Sequence, residues 1–255
     1  MVIRIDGPAP KLCLNITDYS GKMPCLSWCT VDSRDLTMRG DHIVAIAPRA
    51  GTLHLSAPEF STGPKLSDAS GFPATHHERD ALDYLATPTA LDGSNFTLAA
   101  VCLSEAKLKS PQNIFSLCSP KKNLRVLRQA DGFMIKALGQ DVLVGEEEWP
   151  QIGPCLVTMS ASNGMLRLRI RDLAKTGAIA ETPFENPNTP GCHAVFGADQ
   201  LGLAADTPTP SPSRSWRGHL LEMLVFDHDI LTQGTALSLL DQYFTEIYEG
   251  AAPSA

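Results

Sequence analysis

Apolar and polar residues alternate along much of this chain with the two-residue period of a β-strand. In the clearest case the apolar run Cys155–Ser160 is followed by Ser162-Asn163-Gly164 and then by Met165–Arg171. In the last of these segments leucine and isoleucine alternate with arginine, which predicts a strand with one buried and one solvated face. Because Asn-Gly favours a tight turn, the two runs are predicted to form a β-hairpin.

Other parts of the chain show the same strand character. Phe96–Leu103 is nearly all apolar, which predicts a strand buried on both faces. Asp131-Gly132 separates two further β-forming runs and predicts a second hairpin. Residues 57–80 and 172–191 are rich in turn-forming residues and are predicted to be loops. Shorter strands are expected at His42–Ala47, Thr52–Ser56, Ile114–Cys118, residues 142–144 and His193–Gly197.

The periodicity becomes helical near the end of the chain. After an expected strand in Trp216–Ile230, apolar residues recur at steps of three and four, which predicts one apolar stripe on an amphipathic helix. We expect this helix over residues 232–249, with Thr232 as its N-cap and Gly250 at its C-terminal end. The stripe is formed by Leu237, Leu240, Phe244 and Ile247.

These elements predict one all-β domain closed by a short helix. The chain has 255 residues, a length that all-β sandwiches commonly reach as a single domain. Residues 1–40 lack a periodic core pattern and are assigned to an irregular N-terminal arm or first strand. Residues 41–250 are assigned to the sandwich. The proline-rich Thr207–Ser215 is interpreted as a surface loop, because the segment after it is too short to fold alone.

The net charge argues against a nucleic acid partner. It is −7, with a sequence pI near 5.5, whereas phosphate binding requires a basic surface. The most basic stretch, Lys121–Arg128, is interpreted as a strand that points Arg125 and Arg128 largely into solvent. No apolar run reaches the length of a membrane span. The N-terminal residues lack the pattern of a secretory signal.

Cysteine usage indicates free thiols. The chain has seven cysteines, an odd number. Cys102, Cys155 and Cys192 lie within apolar runs, where a thiol behaves as a small hydrophobic group. We therefore expect reduced, buried thiols and synthesis in a reducing compartment. Cys25 and Cys29 have no second pair at zinc-ligand spacing, so neither a metal nor another cofactor is expected.

The order of these elements resembles a known family. The last strand contains a tryptophan, a glycine, a glutamate, an aromatic residue and an aspartate, in that order, separated by aliphatic residues. A helix that ends in tyrosine and glycine follows it. This pattern is similar to the laminin-G-like branch of the concanavalin A-like lectin/glucanase family. The similarity extends over about residues 85–250 and more weakly over residues 40–85. It is carried by Trp216, Gly218, Leu220, Glu222, Leu224, Phe226, Asp227, Tyr243, Phe244, Tyr248 and Gly250.

The resemblance implies a fold and a set of functions. The fold is an all-β, antiparallel two-sheet jelly-roll sandwich. Members bind glycans, act as adhesion modules or hydrolyse glucans, so the fold leaves function open. The family's glucanases carry carboxylates on one strand in the pattern E-x-D-x-x-E. The best match, Glu78, Asp80 and Asp83, departs from that pattern at its last position, and we assign no catalytic residue.

Candidate glycan-binding residues come from acidic and aromatic positions. Glu147 and Glu148 lie beside Trp149, and a tryptophan with nearby acceptors is suited to stacking on a sugar ring. The alternative is an ordinary solvated acidic loop. Asp199 resembles the calcium-side aspartate of laminin-G-like modules, although no partner aspartate can be assigned. His193, on an apolar strand, is interpreted as a core histidine.

Three functions stay open on this sequence. The first is a non-catalytic structural or adhesion protein of a virus particle, such as a bacteriophage head, tail or fibre component, bound to other virion proteins or to copies of itself. It is favoured because this fold usually works outside cells, whereas the chain lacks an export signal and keeps unpaired cysteines. The second is a carbohydrate-binding module of an extracellular or cell-surface bacterial protein, with a surface glycan as partner. The third is a glycoside hydrolase.

Overall fold

The computed structural model describes residues 19, 21–78, 81–104, 110–119, 122–129, 132–137, 140–144, 153–185, 191–199 and 210–249. The strands are β1 (Ser27–Thr30), β2 (Leu36–Arg39), β3 (His42–Ile46), β4 (Ala50–Gly51), β5 (Leu55–Ser56), β6 (Lys65–Ala69), β7 (Phe72–His77), β8 (Leu85–Ala86), β9 (Phe96–Ser104), β10 (Gln112–Ser119), β11 (Lys122–Arg128), β12 (Phe133–Ala137), β13 (Gln140–Val144), β14 (Cys155–Ser162), β15 (Met165–Arg171), β16 (Ala180–Pro183), β17 (His193–Phe196) and β18 (Gly218–Phe226). The α-helix is α1 (Gly234–Tyr248), and 3-10 turns lie at Pro212–Arg214 and Ile230–Thr232. No described helix has the length and apolar character needed to cross a membrane.

Antiparallel pairing arranges the strands in two layers. The first layer runs β4–β1–β18–β9–β14–β15–β16, and the hairpin β6–β7 pairs along the same edge of β18 as β1. The second layer runs β2–β3–β5–β8–β17–β10–β11–β12–β13. The layers join where His42 of β3 pairs with Lys65 of β6. The prediction of an antiparallel sandwich with a C-terminal helix is confirmed.

The main hydrophobic core fills the space between the layers. Phe96, Leu98 and Ala100 of β9 face Leu124 and Val126 of β11 across this core. Each fully buried valine, leucine or phenylalanine side chain stabilises the fold by about 1.5–3 kcal/mol relative to an exposed one. Because burial stabilises the apolar side chains, the apolar face of alternating strands such as β11 and β15 points to this core.

A second core lies between the outer face of the first layer and α1. Ala99 and Val101 of β9 point to this side, so β9 is buried on both faces as its apolar run predicts. The helix begins at Gly234, not at residue 232, and Gln233 is its N-cap. Thr232 is not the cap because its hydroxyl donates to the Asp229 carbonyl instead. The helix contributes Ala236, Leu240, Tyr243, Phe244, Ile247 and Tyr248 to this core.

Part of the segment predicted as an N-terminal arm belongs to the sandwich. β1 pairs with β18 from Ser27↔Val225 to Thr30↔Glu222, and β2 pairs with β3. The prediction that residues 1–40 are irregular is therefore wrong for β1 and β2, while residues 1–18 lie outside the described chain. All residues of β1 are buried, so the strand lacks the alternation by which half-exposed strands are recognised.

Two predicted loops contain strands. Within residues 57–80, β6 and β7 form a hairpin whose turn residues Ser70 and Gly71 have φ of 56° and 83°. Those positive angles are typical of a tight hairpin turn. Within residues 172–191, β16 pairs with β15. β6 and β16 have mostly half-exposed or exposed residues and little apolar character, so the sequence pattern did not indicate them.

The two arginines of β11 are buried, which corrects the prediction that they face solvent. Arg125 is 6% exposed and Arg128 is 2% exposed. An amino group of Arg125 lies 3.5 Å from a carboxylate oxygen of Asp199, and the Arg128 guanidinium lies 4.6 Å from the ring centroid of Phe133. Because the two arginines are three residues apart, they point to opposite faces of the strand. Arg125 meets Asp199, which is distant in sequence, whereas Arg128 meets Phe133 of the neighbouring β12.

The arginine face of β15 is also covered. Arg169 donates to both carboxylate oxygens of Asp241 on α1, each at 2.7 Å. Arg167 donates to Asp229 at 2.7 Å, and Arg171 donates to the Thr245 hydroxyl at 2.6 Å. The prediction of a wet face is therefore wrong for this strand, because these arginines fasten α1 and the preceding turn to the first layer.

Candidate functional site

Two strands share one edge of β18, and a recess forms where they meet. Thr30, the last residue of β1, pairs with Glu222, whereas Thr75 of β7 pairs with Leu220. Leu221 lies between these two pairings, and the register of β18 against β9 shifts at the same point. Since neither β1 nor β7 pairs with Leu221, the two strands leave a gap along this edge of β18.

We name this feature the junction recess. Its volume is about 20 Å³, close to the space that holds one water molecule, so a larger ligand would lie against it and not inside it. The rings of Phe72 and Tyr248 are 5.0 Å apart and form an aromatic wall. The recess is lined by Thr30, Val31, Asp32, Phe72, Pro73, Leu221 and Tyr248.

The wall is held rigidly by hydrogen bonds beneath it. The Tyr248 hydroxyl donates to Glu222 at 2.6 Å, and the Tyr243 hydroxyl donates to the same carboxylate oxygen at 2.9 Å. The Trp28 indole N–H donates to the other oxygen at 2.7 Å. Burial raises the pKa of Glu222, although these three hydrogen bonds oppose that effect. The ring of Tyr248 is thus fixed from below while one side of it faces the recess.

An ion-pair cluster forms the polar rim of the recess. Nε and one Nη of Arg34 donate to the two oxygens of Asp32 at 3.1 and 2.9 Å. Arg49 pairs with Asp32 at 2.6 Å and also with Asp35. Partial burial raises the pKa of Asp35, and the charge of Arg49 opposes this. The Arg34 side chain is 62% exposed, so its guanidinium is open to solvent beside Asp32, which lines the recess.

A pair of stacked histidines lies beside the recess. His219 is two residues from Leu221 on β18 and therefore projects from the same face of the sheet. Its ring stacks on that of His76 with centroids 4.8 Å apart and an interplanar angle of 26°. Nε2 of His219 lies 3.4 Å from the Ser67 hydroxyl oxygen. This face of β7 and β18 therefore carries a second pair of rings besides Phe72 and Tyr248.

This arrangement is suited to binding a small ligand. An apolar platform with hydrogen-bonding groups at its edge is the composition of a typical small-ligand site. Glycoside hydrolysis requires two carboxyl groups that flank the scissile bond. Asp32 is the one residue with a carboxylate among the described residues that line the recess, and its negative charge is balanced by Arg34 and Arg49. No described group of His, Cys, Asp and Glu could hold a metal ion.

Three of the four predicted glycan-binding residues cannot be placed. Glu147, Glu148 and Trp149 lie outside the described residues, in the segment that connects β13 of the second layer with β14 of the first. Their role stays a prediction. Every described tryptophan and tyrosine side chain is buried, so a stacking platform elsewhere in the described chain relies on phenylalanine or histidine.

Asp199 lies on the second layer and is engaged inside the protein. The residue is 2% exposed. One carboxylate oxygen accepts the Ser211 backbone N–H at 3.0 Å, and the other lies 3.5 Å from Arg125. The Asp199 carbonyl accepts from Asn123 at 2.7 Å. This geometry anchors a chain segment over β10 and β11, and the glycan role of Asp199 stays a prediction.

The carboxylates of the E-x-D-x-x-E match do not line one strand. β7 ends at His77, and Glu78 follows it as an exposed residue paired with Lys65 at 2.7 Å. Asp83 is buried and accepts the backbone N–H of Glu78 at 2.6 Å. Asp80 lies outside the described residues. His193, interpreted as a core histidine, is half-buried on β17, and its Nδ1 lies 2.8 Å from the Thr87 carbonyl oxygen.

The junction recess was not predicted from the sequence. Phe72 and Pro73 fall in the segment interpreted as a loop, and Thr30 and Asp32 in the segment interpreted as an arm. A signal was present in Ser70-Gly71, since a small polar residue before glycine favours a hairpin turn. The sharing of one edge by β1 and β7 has no local sequence signal, because it depends on pairings between distant segments.

No protein-family model matches the sequence, and no curated protein matches it. Solved structures match the fold. Domain 4 of AbnA, a GH43 extracellular arabinanase from Geobacillus stearothermophilus solved with arabinotriose, has a TM-score of 0.54 at 12% identity, over 85% of this chain and 98% of the domain.

The structures of two enzymes resemble this chain to a similar degree. Trypanosoma rangeli sialidase has a TM-score of 0.54 at 10% identity over 85% of this chain. The match covers 32% of the sialidase, so this chain spans about a third of that protein. A GH54 α-L-arabinofuranosidase has a TM-score of 0.54 at 11% identity, over 88% of this chain and 64% of the enzyme. At these identities the likeness concerns the fold alone. The chain has the concanavalin A-like lectin/glucanase fold that its sequence resembles.

Proposed function

We propose that this protein is a non-catalytic attachment module that binds carbohydrate at the junction recess. One observation carries the proposal. At the junction recess of a lectin-like sandwich, the aromatic wall of Phe72 and Tyr248 lies beside the charged side chains of Asp32 and its partner Arg34. Sugar rings present apolar C–H faces and hydroxyl edges. Phe72 and Pro73 suit the faces, and Thr30, Asp32 and Arg34 suit the edges.

The proposal of a binding protein is supported by the lack of a second carboxylate in the described lining. A glycosidase needs two carboxyl groups about 5–10 Å apart, one of them able to donate a proton. Asp32 already accepts hydrogen bonds on both oxygens. The whole-domain match to Domain 4 of AbnA supports carbohydrate as the ligand class, because that domain was solved with arabinotriose.

Calorimetric titration of the purified chain with an oligosaccharide panel tests this proposal. The panel includes arabinotriose and α2,3-sialyllactose. Removing the ring in Phe72→Ala, or the guanidinium in Arg34→Ala, is expected to weaken binding about tenfold, since each contact contributes about 1–1.5 kcal/mol. Phe60→Ala and Arg39→Ala are matched controls, because both side chains are exposed and neither lines the recess.

Two outcomes would overturn the proposal. One is the absence of binding across the panel. The other is binding that Phe72→Ala and Arg34→Ala leave unchanged while Trp149→Ala removes it, which would move the site to the segment between β13 and β14. Turnover of any oligosaccharide, with loss of turnover in Asp80→Asn, would favour the glycoside hydrolase instead.

We also propose that the module works within a virus particle, as a structural or adhesion component. The cysteines support this, since the structure has no disulfide at the described residues Cys25, Cys29, Cys102, Cys118, Cys155 and Cys192. Reduced thiols suit folding in a reducing host cytoplasm. Mass spectrometry of purified particles is expected to detect the chain at a fixed ratio to other virion proteins. Its absence from particles would instead favour a bacterial carbohydrate-binding module at the cell surface.

Self-association of the chain is a related prediction. A shallow recess supports weak binding at one site, and several copies on one particle would raise the overall avidity without new contacts. Light scattering on the purified chain, combined with size-exclusion chromatography, measures the mass directly. A mass of 27.4 kDa at every concentration would contradict self-association.

A further inference from the structure

We infer that Cys102 and Cys155 are a site of oxidative modification, at which a disulfide forms between β9 and β14. The two strands are antiparallel neighbours in the centre of the first layer, and Cys155 lies directly opposite Cys102 in their register. This inference does not depend on carbohydrate binding.

The pairing places the two side chains on the same side of the sheet. Both cysteines belong to the core between the layers, and the Cys102 side chain lies within hydrogen-bonding reach of the Cys155 thiol. Directly opposed residues of an antiparallel pair have Cβ atoms about 4.5–5.5 Å apart. A disulfide requires a Cβ separation of about 3.5–4.5 Å, so a shift of about 1 Å is enough.

The other described cysteines lack this arrangement. Cys29 lies opposite Met223 of β18, and Cys118 lies opposite Asn123 of β11 and His193 of β17. Cys192 forms an isolated bridge with Leu91, and Cys25 lies before β1, outside the strands. The register therefore singles out one pair from the cysteines that the structure describes.

Burial governs when this bond can form. Cys102 is 2% exposed and Cys155 is 7% exposed. Burial raises the pKa of the Cys155 thiol well above its ordinary value, and the protonated thiol is a poor nucleophile. Oxidation is therefore slow in the native protein and faster while the chain folds or opens locally. A chain made in a reducing compartment folds with both thiols and acquires the bond after it leaves.

The reaction is an ordinary thiol–disulfide exchange with a small-molecule disulfide such as oxidised glutathione. One cysteine loses its proton, and its thiolate attacks a glutathione sulfur and expels glutathione thiolate. The second cysteine then loses its proton and displaces the bound glutathione to form the Cys102–Cys155 bond. In total the protein gives up two protons and two electrons, and one oxidised glutathione becomes two molecules of the thiol.

Refolding of the full chain in glutathione buffers tests the inference. The chain is unfolded in urea with reductant, refolded at a series of reduced-to-oxidised ratios, alkylated and digested without reduction for mass spectrometry. We expect a peptide pair joined through Cys102 and Cys155 that is lighter by two hydrogen atoms than the two thiol peptides. The linked protein should melt about 10 °C higher than the reduced one.

Variants separate the bond from general oxidation. Cys102→Ala and Cys155→Ala should each lose the glutathione-dependent rise in melting temperature, whereas Cys192→Ala should keep it. The mass measurement on the unaltered chain stands even if a variant fails to fold. Finding both cysteines as free thiols or as glutathione adducts at the most oxidising ratio would overturn the inference, and so would a bond from either one to another cysteine.

Discussion

Glu222 carries a buried carboxylate that joins the helix to the first layer. It accepts hydrogen bonds from Trp28 of β1 and from Tyr243 and Tyr248 of α1. Apart from Trp28, these residues belong to the sequence pattern that resembles the laminin-G-like branch of the concanavalin A-like proteins. Glu222, Tyr243 and Tyr248 could be picked out from the sequence pattern, but the hydrogen bonds between them are evident only in the structure.

Replacing this carboxylate tests its structural role. Glu222→Ala leaves three buried donors without an acceptor and should lower the free energy of unfolding by about 3–5 kcal/mol. Glu222→Gln keeps the shape and most of the hydrogen bonds, so it should cost less than half as much. Urea denaturation of both variants and the unaltered chain measures the difference. Equal losses in the two variants would show that the hydrogen bonds are unimportant.

The same residue predicts a pH dependence. Burial raises the folded-state pKa of Glu222 above its ordinary value of 4.5, so the folded state binds the proton more tightly than the unfolded state. Its stabilising contribution is complete below about pH 4.5 and is lost as the pH rises through the folded-state pKa. The stability of the unaltered chain relative to Glu222→Gln should therefore fall as the pH rises above about 4.5. A flat difference across that range would contradict this.

Glycines at positive φ offer a second test at this scale. Gly40 and Gly63 have φ of 64° and 79°. A Cβ at Gly63 would overlap the Ile43 carbonyl oxygen, whereas one at Gly40 would meet nothing within 4 Å. Gly40→Ala should therefore cost about 1 kcal/mol for backbone strain alone, and Gly63→Ala about 3 kcal/mol or more. Thermal unfolding compares them, and equal costs would contradict the predicted overlap.

At the scale of elements, the sequence predicted the positions of strands better than the packing of other elements on their faces. The β14–β15 hairpin and its Asn-Gly turn are confirmed, with Asn163 and Gly164 at φ of 51° and 70°. The alternation on β15 is also confirmed. The burial of its arginines could not be predicted, because α1 covers them and nothing local in β15 encodes the position of a helix that follows much later.

The contact between β15 and α1 predicts which charge pairs stabilise the fold. Asp241 accepts two hydrogen bonds from the nearly buried Arg169. Asp241→Asn should lower the free energy of unfolding by about 2 kcal/mol, since an almost desolvated guanidinium loses its charge partner. Glu78→Gln, in the exposed pair with Lys65, should leave stability unchanged within error. Chemical denaturation distinguishes the two, and similar effects would contradict this account.

At the scale of the whole molecule, fold and site differ in how far the sequence reveals them. The two-layer architecture follows largely from local patterns in order, because the β11–β12 and β14–β15 hairpins and the closing helix can each be recognised separately. The junction recess brings together Thr30, Phe72 and Leu221, which lie on three strands that meet only through long-range pairing. The acidic and aromatic positions of the sequence indicated Trp149 and Asp199 instead.

The position of the ligand is the most direct test of carbohydrate binding at the junction recess. Backbone amide chemical shifts of the isotope-labelled chain can be followed during titration with the tightest-binding oligosaccharide of the panel. The account predicts shifts that cluster at Val31, Asp32, Phe72 and Leu221, with smaller ones at His76 and His219. Shifts that cluster at Asn123, Arg125 and Lys136 on the second layer, or no shifts with any oligosaccharide, would contradict it.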